Sequence, residues 1–190
     1  MDNMNTSNIV DYPKRSKKIL KSIATYNTAG DIAAFGLESA DPKVLKANQI
    51  GTTPPKTKRA IKIMNQVSGF REEGVPKLLP GINLLHGLEG EREETMDLNY
   101  QFLKDVLADD LLLRRINIRQ VNPLGEYQKA NYDQHQFKEY KEKVNQNINQ
   151  PLLEKVFPVG TVLKEVIIEE QQGKLAFGRQ IATYPILVGI

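Results

Sequence analysis

Arg114-Arg115-Ile116-Asn117-Ile118-Arg119-Gln120 is the stretch that decides the fold. Side chains along a strand alternate between faces, so Ile116 and Ile118 point one way while Arg115, Asn117 and Arg119 point the other. In a βα barrel or a curved parallel sheet the apolar face packs on helices and the opposite face looks into the lumen. A lumen face made of Arg, Asn and Arg is costly unless water, a ligand or acidic partners meet it. The residues alone leave two readings open, a ligand-facing surface or ion pairs to neighbouring strands.

Two further segments upstream have the character of buried strands. Ile32 to Leu37 is short and almost entirely apolar, the pattern of a strand covered on both faces in a parallel sheet. Gly81-Ile82-Asn83-Leu84-Leu85 repeats it after a Gly- and Pro-rich loop over Ser68 to Pro80. Helical stretches lie between. Ser16 to Thr25 places Ile19, Leu20 and Ile23 at helical spacing. Asp41-Pro42 opens a short helix to about Ala47. Thr53-Pro54-Pro55 starts another, whose stripe is Ala60, Ile61, Met64 and Val67. Arg92 to Ala108 begins with Glu93 and Glu94, which suit the positive end of a helix, and buries Leu98, Phe102, Leu103, Val106 and Leu107. The third strand candidate spans Leu111 to Val121. Strand–helix–strand–helix–strand in units of this length predicts an α/β fold with βαβ crossovers and a parallel sheet.

Beyond Pro123 the character changes. A polar, Gln/Lys/Tyr-rich helix is predicted from Tyr132 to about Asn147. Val162 to Glu169 alternates as a strand, Gln171-Gln172-Gly173 turns, Leu175-Ala176-Phe177 returns, and Tyr184 to Ile190 supplies a third strand.

Composition narrows the chemistry. The 190 residues are 40% apolar and 26% charged, the mix of an ordinary globular protein. No apolar run approaches the length of a membrane span, and the polar N-terminus lacks the core of a signal peptide, so a cytoplasmic protein is expected. A net charge of +3 gives little general affinity for nucleic acid; the visible basic cluster, Lys14-Arg15-Ser16-Lys17-Lys18 with Lys21, is read on a helix as a solvated face sooner than as a phosphate site. The sequence has no cysteine, which excludes disulfides, thiolate zinc sites, a Cys nucleophile and a cysteine-ligated iron–sulfur centre held by this chain. With only two histidines, a His-rich metal site is also not expected.

Candidate site residues fall at the ends of the strands. Glu38 and Ser39 close the first one, where open α/β folds and barrels place ligand contacts; a carboxylate there can hold paired hydroxyls such as those of a ribose. Asn83 can donate and accept at once. Gly87-Leu88-Glu89-Gly90-Glu91 permits close backbone approach, and its acidity favours an uncharged part of a ligand over phosphate. His86, among leucines, is read as a satisfied core or rim residue, and His135 as exposed.

Taken in order, Ala34-Phe35-Gly36-Leu37-Glu38-Ser39-Ala40-Asp41, Leu84-Leu85-His86-Gly87-Leu88-Glu89-Gly90-Glu91 and the Arg-Ile-Asn-Ile-Arg strand resemble the later strands of a radical S-adenosylmethionine (radical-SAM) barrel. The first resembles that family's fourth strand, ending in G-[VL]-E-S; the second resembles its fifth strand and the hydrophobic-x-G-x-P-G-E turn, with Glu89 where proline usually stands. Leu79-Pro80-Gly81-Ile82-Asn83 and Leu113 to Gln120 look more narrowly like a mainly archaeal branch that carries a helix-hairpin-helix near its C-terminus. Phe177-Gly178-Arg179-Gln180 through Tyr184-Pro185 resembles that branch's post-barrel region. The first thirty-one residues are read as a lead-in helix; from Ile32 to Ile190 the resemblance implies the C-terminal half of a radical-SAM partial TIM-type barrel over 32–125, connecting helices over 126–158, and a truncated OB/TRAM-like β-rich segment over 159–190. It implies S-adenosylmethionine contacts from Glu38, Ser39, Asn83 and Gly87, and substrate-facing positions for Asn117 and Arg119. A complete enzyme of this kind also holds a [4Fe–4S] cluster on a Cys-x-x-x-Cys-x-x-Cys loop, which has no counterpart here. The expected partner is therefore an N-terminal radical-SAM half, with association into oligomers also expected. A non-catalytic RNA- or protein-binding module is the alternative, resting on the basic N-terminal helix and the C-terminal β segment.

Overall fold

The structure is a computed structural model, and it describes residues 3–125, 133–182 and 185–190. It is a mixed α/β arrangement built on a three-stranded parallel sheet, with two small antiparallel sheets beside it.

Two helices lead in, α1 (Thr6–Asp11) and α2 (Pro13–Tyr26). Asn5 caps α1 by accepting from the Asn8 amide at 3.1 Å, and Pro13 sits in the first turn of α2, which therefore starts earlier than its apolar spacing predicts. The first strand, β1 (Asp31–Glu38), is followed by α3 (Pro42–Ala47), capped by Asp41, and α4 (Pro54–Ser68), capped by Thr53. A hairpin of β2 (Arg71–Glu72) and β3 (Val75–Pro76) occupies what reads in the sequence as irregular loop. Then come β4 (Leu78–His86), α5 (Glu94–Ala108) and β5 (Arg115–Gln120). Helix α6 (Gln134–Val144) runs through one π-helical turn, Asn145–Asn149, into α7 (Gln150–Val156). Tyr132, where that helix is predicted to begin, lies outside the described residues.

The parallel sheet has the order β1–β4–β5. Strand β4 starts three residues before the predicted Gly81, with Pro80 inside it. In a parallel ladder the N–H and C=O of one residue point to the same neighbour. The carbonyl of Pro80 accepts from the Arg114 amide at 2.9 Å, so the missing N–H of Pro80 faces the β5 side ahead of that strand's first residue, where it leaves no ladder bond unmade.

One core lies on one face of this sheet. Ala33, Phe35 and Leu37 from β1 and Ile82 and Leu84 from β4 pack with Leu20, Ile61, Met64, Phe102, Leu103, Val106 and Phe137 from the helices. Ile116 and Ile118 join its margin. The opposite face carries Ala34, Gly36, Glu38, Asn83, Leu85, Arg115, Asn117 and Arg119, all half-buried or exposed. Alternation predicts this division for β5, whereas β1, expected over Ile32 to Leu37 to be covered on both faces, is open on one at Ala34, Gly36 and Glu38, with Ile32 and Leu79 near the strand starts buried there. The connection before β5 is pinned by Asn65, which accepts from the Leu112 amide at 2.7 Å and donates to its carbonyl at 3.0 Å.

The C-terminal region forms an antiparallel sheet of β6 (Val166–Gln172), β7 (Leu175–Gln180) and β8 (Val188–Gly189), with the predicted turn at Gly173 in left-handed conformation, φ 63°. Tyr184, assigned from the sequence to the last strand, lies outside the described residues. Ile167, Ile168, Leu175, Leu187 and Ile190 of this region are exposed. Among the described residues no helix is long and apolar enough to cross a membrane.

Candidate functional site

Register brings the polar residues of the open face together. Gly36 lies opposite Asn83, and Asn83 opposite Asn117, one row across all three parallel strands. The Asn117 side-chain amide donates to Asn83 Oδ1 at 2.8 Å, and Arg115 Nε donates to Asn117 Oδ1 at 2.7 Å. Of the two sequence readings of this strand, ion pairing to acids on neighbouring strands is not what the amide ladder uses: Asn117 is met by an amide.

Glu38 ends β1 with a left-handed backbone, φ 64°, at a break in the β1–β4 register. Such a conformation is uncommon for a residue with a Cβ and points to a local constraint. It turns the side chain back along the strand, so that a Cβ placed on Gly36 would stand 2.5 Å from Glu38 Oε1. Gly36 is thus the space that the carboxylate occupies. Burial pushes the Glu38 carboxyl above its ordinary value, and no hydrogen-bond or ion-pair partner for it exists among the described residues.

Gly36, Glu38 and Asn83 line a hollow of about 610 Å³, closed on other sides by Asn3 to Ser7 and by Ile50, Gly51 and Thr52. The Met4 amide donates to the Ala34 carbonyl at 2.9 Å, and Thr6 and Thr52 share a hydroxyl–hydroxyl bond of 2.7 Å. A second hollow of about 840 Å³ runs between β5 and α6, lined by Arg115, Asn117, Arg119, Gln134, Phe137 and Lys141 among others. The Asn117–Asn83 bond joins the two, Asn83 lining one and Asn117 the other.

Ser39 and Gly87, expected beside Glu38 and Asn83, are turned elsewhere. Ser39 is fully buried: its hydroxyl accepts from the Asp41 amide at 3.1 Å and lies 3.4 Å from Asn99 Oδ1. The Gly87 amide donates to the Glu91 carboxylate. Ser39 is taken up by the Asp41 amide of its own turn and by Asn99 of α5, and the Gly87 amide by Glu91 of its own turn, as buried polar groups require.

Sequence reasoning passed over those acceptors. Asp41, fully buried, accepts from the Lys43 amide (2.9 Å), from Arg92 Nε (2.9 Å) and from Thr95 Oγ1 (2.8 Å), which fastens the turn after β1 to the start of α5. Burial alone would raise its carboxyl, but these donors and the Arg92 charge hold it below the usual carboxylate range. Asn99 accepts from the Ala40 amide at 2.6 Å. His86, read as a core residue, is fully buried; its Nδ1 lies 2.5 Å from Glu91 Oε1, and its ring is flanked edge-on by Phe137 and Tyr140. The Asp41-Pro42 helix start carried a readable signal for the cap; the Arg92 and Thr95 partners, some fifty residues away, carried none.

No family model matches the chain. It is 44% identical over its whole length to the uncharacterised protein MJ0274 of Methanocaldococcus jannaschii and 40% identical to an uncharacterised protein of Archaeoglobus fulgidus. The chain spans 37% of the length of each of these relatives.

Proposed function

We propose that this chain is the later half of a radical-SAM (βα) barrel followed by a small OB/TRAM-like β module, acting as the C-terminal portion or a split subunit of such an enzyme. The observation that carries the reading is the row Gly36–Asn83–Asn117 across three parallel strands, with the Glu38 carboxylate, unpartnered among the described residues, folded over Gly36. A hollow at the strand ends that offers one carboxylate and one amide suits a ribose with its paired hydroxyls and an attached base. Glu38 would accept from the hydroxyls of S-adenosylmethionine and Asn83 would bond its adenosine part, while Asn117 and Arg119 would face substrate in the adjoining hollow. Glycine at position 36 keeps that carboxylate within the hollow.

A [4Fe–4S] cluster does not fit this chain, which has no cysteine and, among the described residues, no group of His, Asp and Glu able to hold a metal. In this reading the cluster is held by a separate radical-SAM half, and the greater length of the archaeal relatives leaves room for one in each. The exposed apolar side chains around β6 to β8 suit association with such a partner.

S-adenosylhomocysteine, the unreactive counterpart, tests the reading by calorimetric titration. Saturable binding is expected, weakened about tenfold or more in Glu38→Ala through loss of charge-assisted hydrogen bonds. Absence of binding at millimolar ligand, or affinity unchanged in Glu38→Ala, contradicts it. Reconstitution with iron and sulfide is expected to give no sulfide-to-iron charge-transfer band from this chain alone.

A further inference from the structure

Helices α2 and α4 pack side by side in the outer layer. Helix α2 carries Lys14, Arg15, Lys17, Lys18 and Lys21 without one acidic residue, and α4 carries Lys56, Lys58, Arg59 and Lys62, again without one. Lys56 and Lys58 are neutralised from outside, by Asp11 at 2.9 Å and Asp109 at 2.8 Å. Lys14, Arg15, Lys17, Lys18, Lys21, Arg59 and Lys62 are exposed and form no ion pair with a described residue.

A solvated helix face usually interleaves its charges, as α6 does with Lys138, Glu139, Lys141, Glu142 and Lys143. The spacing on α2 and α4 is the reverse. Lys14 with Lys17 and Lys18, Lys17 and Lys18 with Lys21, and Lys62 with Lys58 and Arg59 all stand three or four residues apart, where like charges destabilise a helix. Two neighbouring helices thus carry nine of the chain's 26 basic residues and no acid between them, at some cost in stability. Aromatic groups flank them: Tyr12 and Tyr26, at the two ends of α2, are 64% and 89% exposed.

We propose that the adjoining outer faces of α2 and α4 bind the backbone of a single-stranded segment of nucleic acid, with Tyr12 and Tyr26 as stacking surfaces for its bases. Closely spaced cations match a phosphodiester chain, and exposed tyrosines beside them favour unpaired bases over a duplex. A bilayer surface is disfavoured because Leu20 and Ala24 of α2 are buried in the protein, which leaves Ile19 and part of Ile23 as the aliphatic side chains that helix could insert. This site stands independently of the reading of the Glu38 hollow.

Fluorescence anisotropy tests it with labelled single-stranded RNA, single-stranded DNA of the same sequence, and an RNA duplex, between about 50 and 200 mM salt. Anionic phosphatidylserine vesicles form a fourth arm. The intact chain is expected to bind the single strands with a salt-dependent affinity. Lys18→Gln/Lys21→Gln/Arg59→Gln/Lys62→Gln is expected to bind at least tenfold more weakly at the lowest salt, with a log–log salt slope shallower by about 0.7 for each phosphate no longer neutralised. The corresponding Lys18→Arg/Lys21→Arg variant keeps both affinity and slope. Tyr12→Ala/Tyr26→Ala is expected to weaken single strands about tenfold and the duplex little. Absence of binding at the lowest salt, affinity unchanged by the four glutamines while circular dichroism shows the fold intact, or binding to vesicles alone overturns the proposal.

Discussion

The side-chain amide of Asn117 reaches across from β5 to donate to Asn83 Oδ1 at 2.8 Å, joining a residue that lines the hollow between β5 and α6 to one that lines the Glu38 hollow. Because Arg115 Nε donates to Asn117 Oδ1 at the same time, the carbonyl end of Asn117 is held and its amide is aimed at Asn83. A change on the β5 side therefore has a direct route to the residue that lines the Glu38 hollow.

A double-mutant cycle measures that link. Asn83→Ala and Asn117→Ala are expected to couple by about 1 kcal/mol in urea unfolding, the usual net worth of a partly buried hydrogen bond. Additivity of the two substitutions would show that the amides contribute independently.

Gly36→Ala separates site from fold. The atom its Cβ meets is the far end of the flexible Glu38 side chain, and the backbone at Gly36 has no left-handed requirement. Stability is expected to change by less than about 1 kcal/mol. With its carboxylate displaced, the variant is expected to bind S-adenosylhomocysteine at least tenfold more weakly. A large fall in the unfolding midpoint would mean that Gly36 serves packing instead.

Glu38 sets a pH dependence of known sign. Burial raises its folded-state pKa, so the native chain holds this proton more tightly than the unfolded chain does. Its contribution to stability is complete below the unfolded value and is lost as pH rises through the folded one. Glu38→Gln is expected to melt higher than the parent chain near neutral pH, with the difference shrinking toward about pH 4. A lower melting temperature for Glu38→Gln at neutral pH contradicts this. Higher stability with weaker ligand binding is the trade expected of a strained site residue.

Asp41 behaves oppositely. Its folded-state pKa is lowered, so its contribution is present above the unfolded value and lost as pH falls through the folded one. Asp41→Ala strips Arg92 and Thr95 of their shared acceptor and is expected to cost about 2–3 kcal/mol, read from chemical denaturation at neutral pH. An unchanged midpoint would place the junction between the β1 turn and α5 elsewhere.

The parallel triplet and the two faces of β5 were legible in the sequence because alternation is a local property: Ile116 and Ile118 had to part from Asn117 and Arg119 once the segment was a strand. What depends on distant partners was not legible. Ser39 and Gly87 stand at strand ends, as ligand contacts do, yet Asn99 lies sixty residues beyond Ser39, and nothing in the turn reveals that it engages that turn. Pro80 looked like a break because its tolerance rests on where β5 begins. The short β2–β3 hairpin has only two residues a side, too few for a period to register. The basic run on α2 was visible in the sequence, but its continuation on α4 emerges only when folding sets the two helices side by side.

Side-chain amide signals give the most direct test of the central reading. In a nitrogen-15 correlation spectrum titrated with S-adenosylhomocysteine, the NH2 pair of Asn83 and the backbone amide of Gly36 are expected to move together along one saturation curve, with Asn117 following through its bond to Asn83. The Ser39 and Gly87 amides, held within their own turns, are expected to move least of the strand-end residues. Shifts clustered away from Gly36, Glu38 and Asn83, or no shift at millimolar ligand, would contradict the assignment of this hollow to the nucleoside.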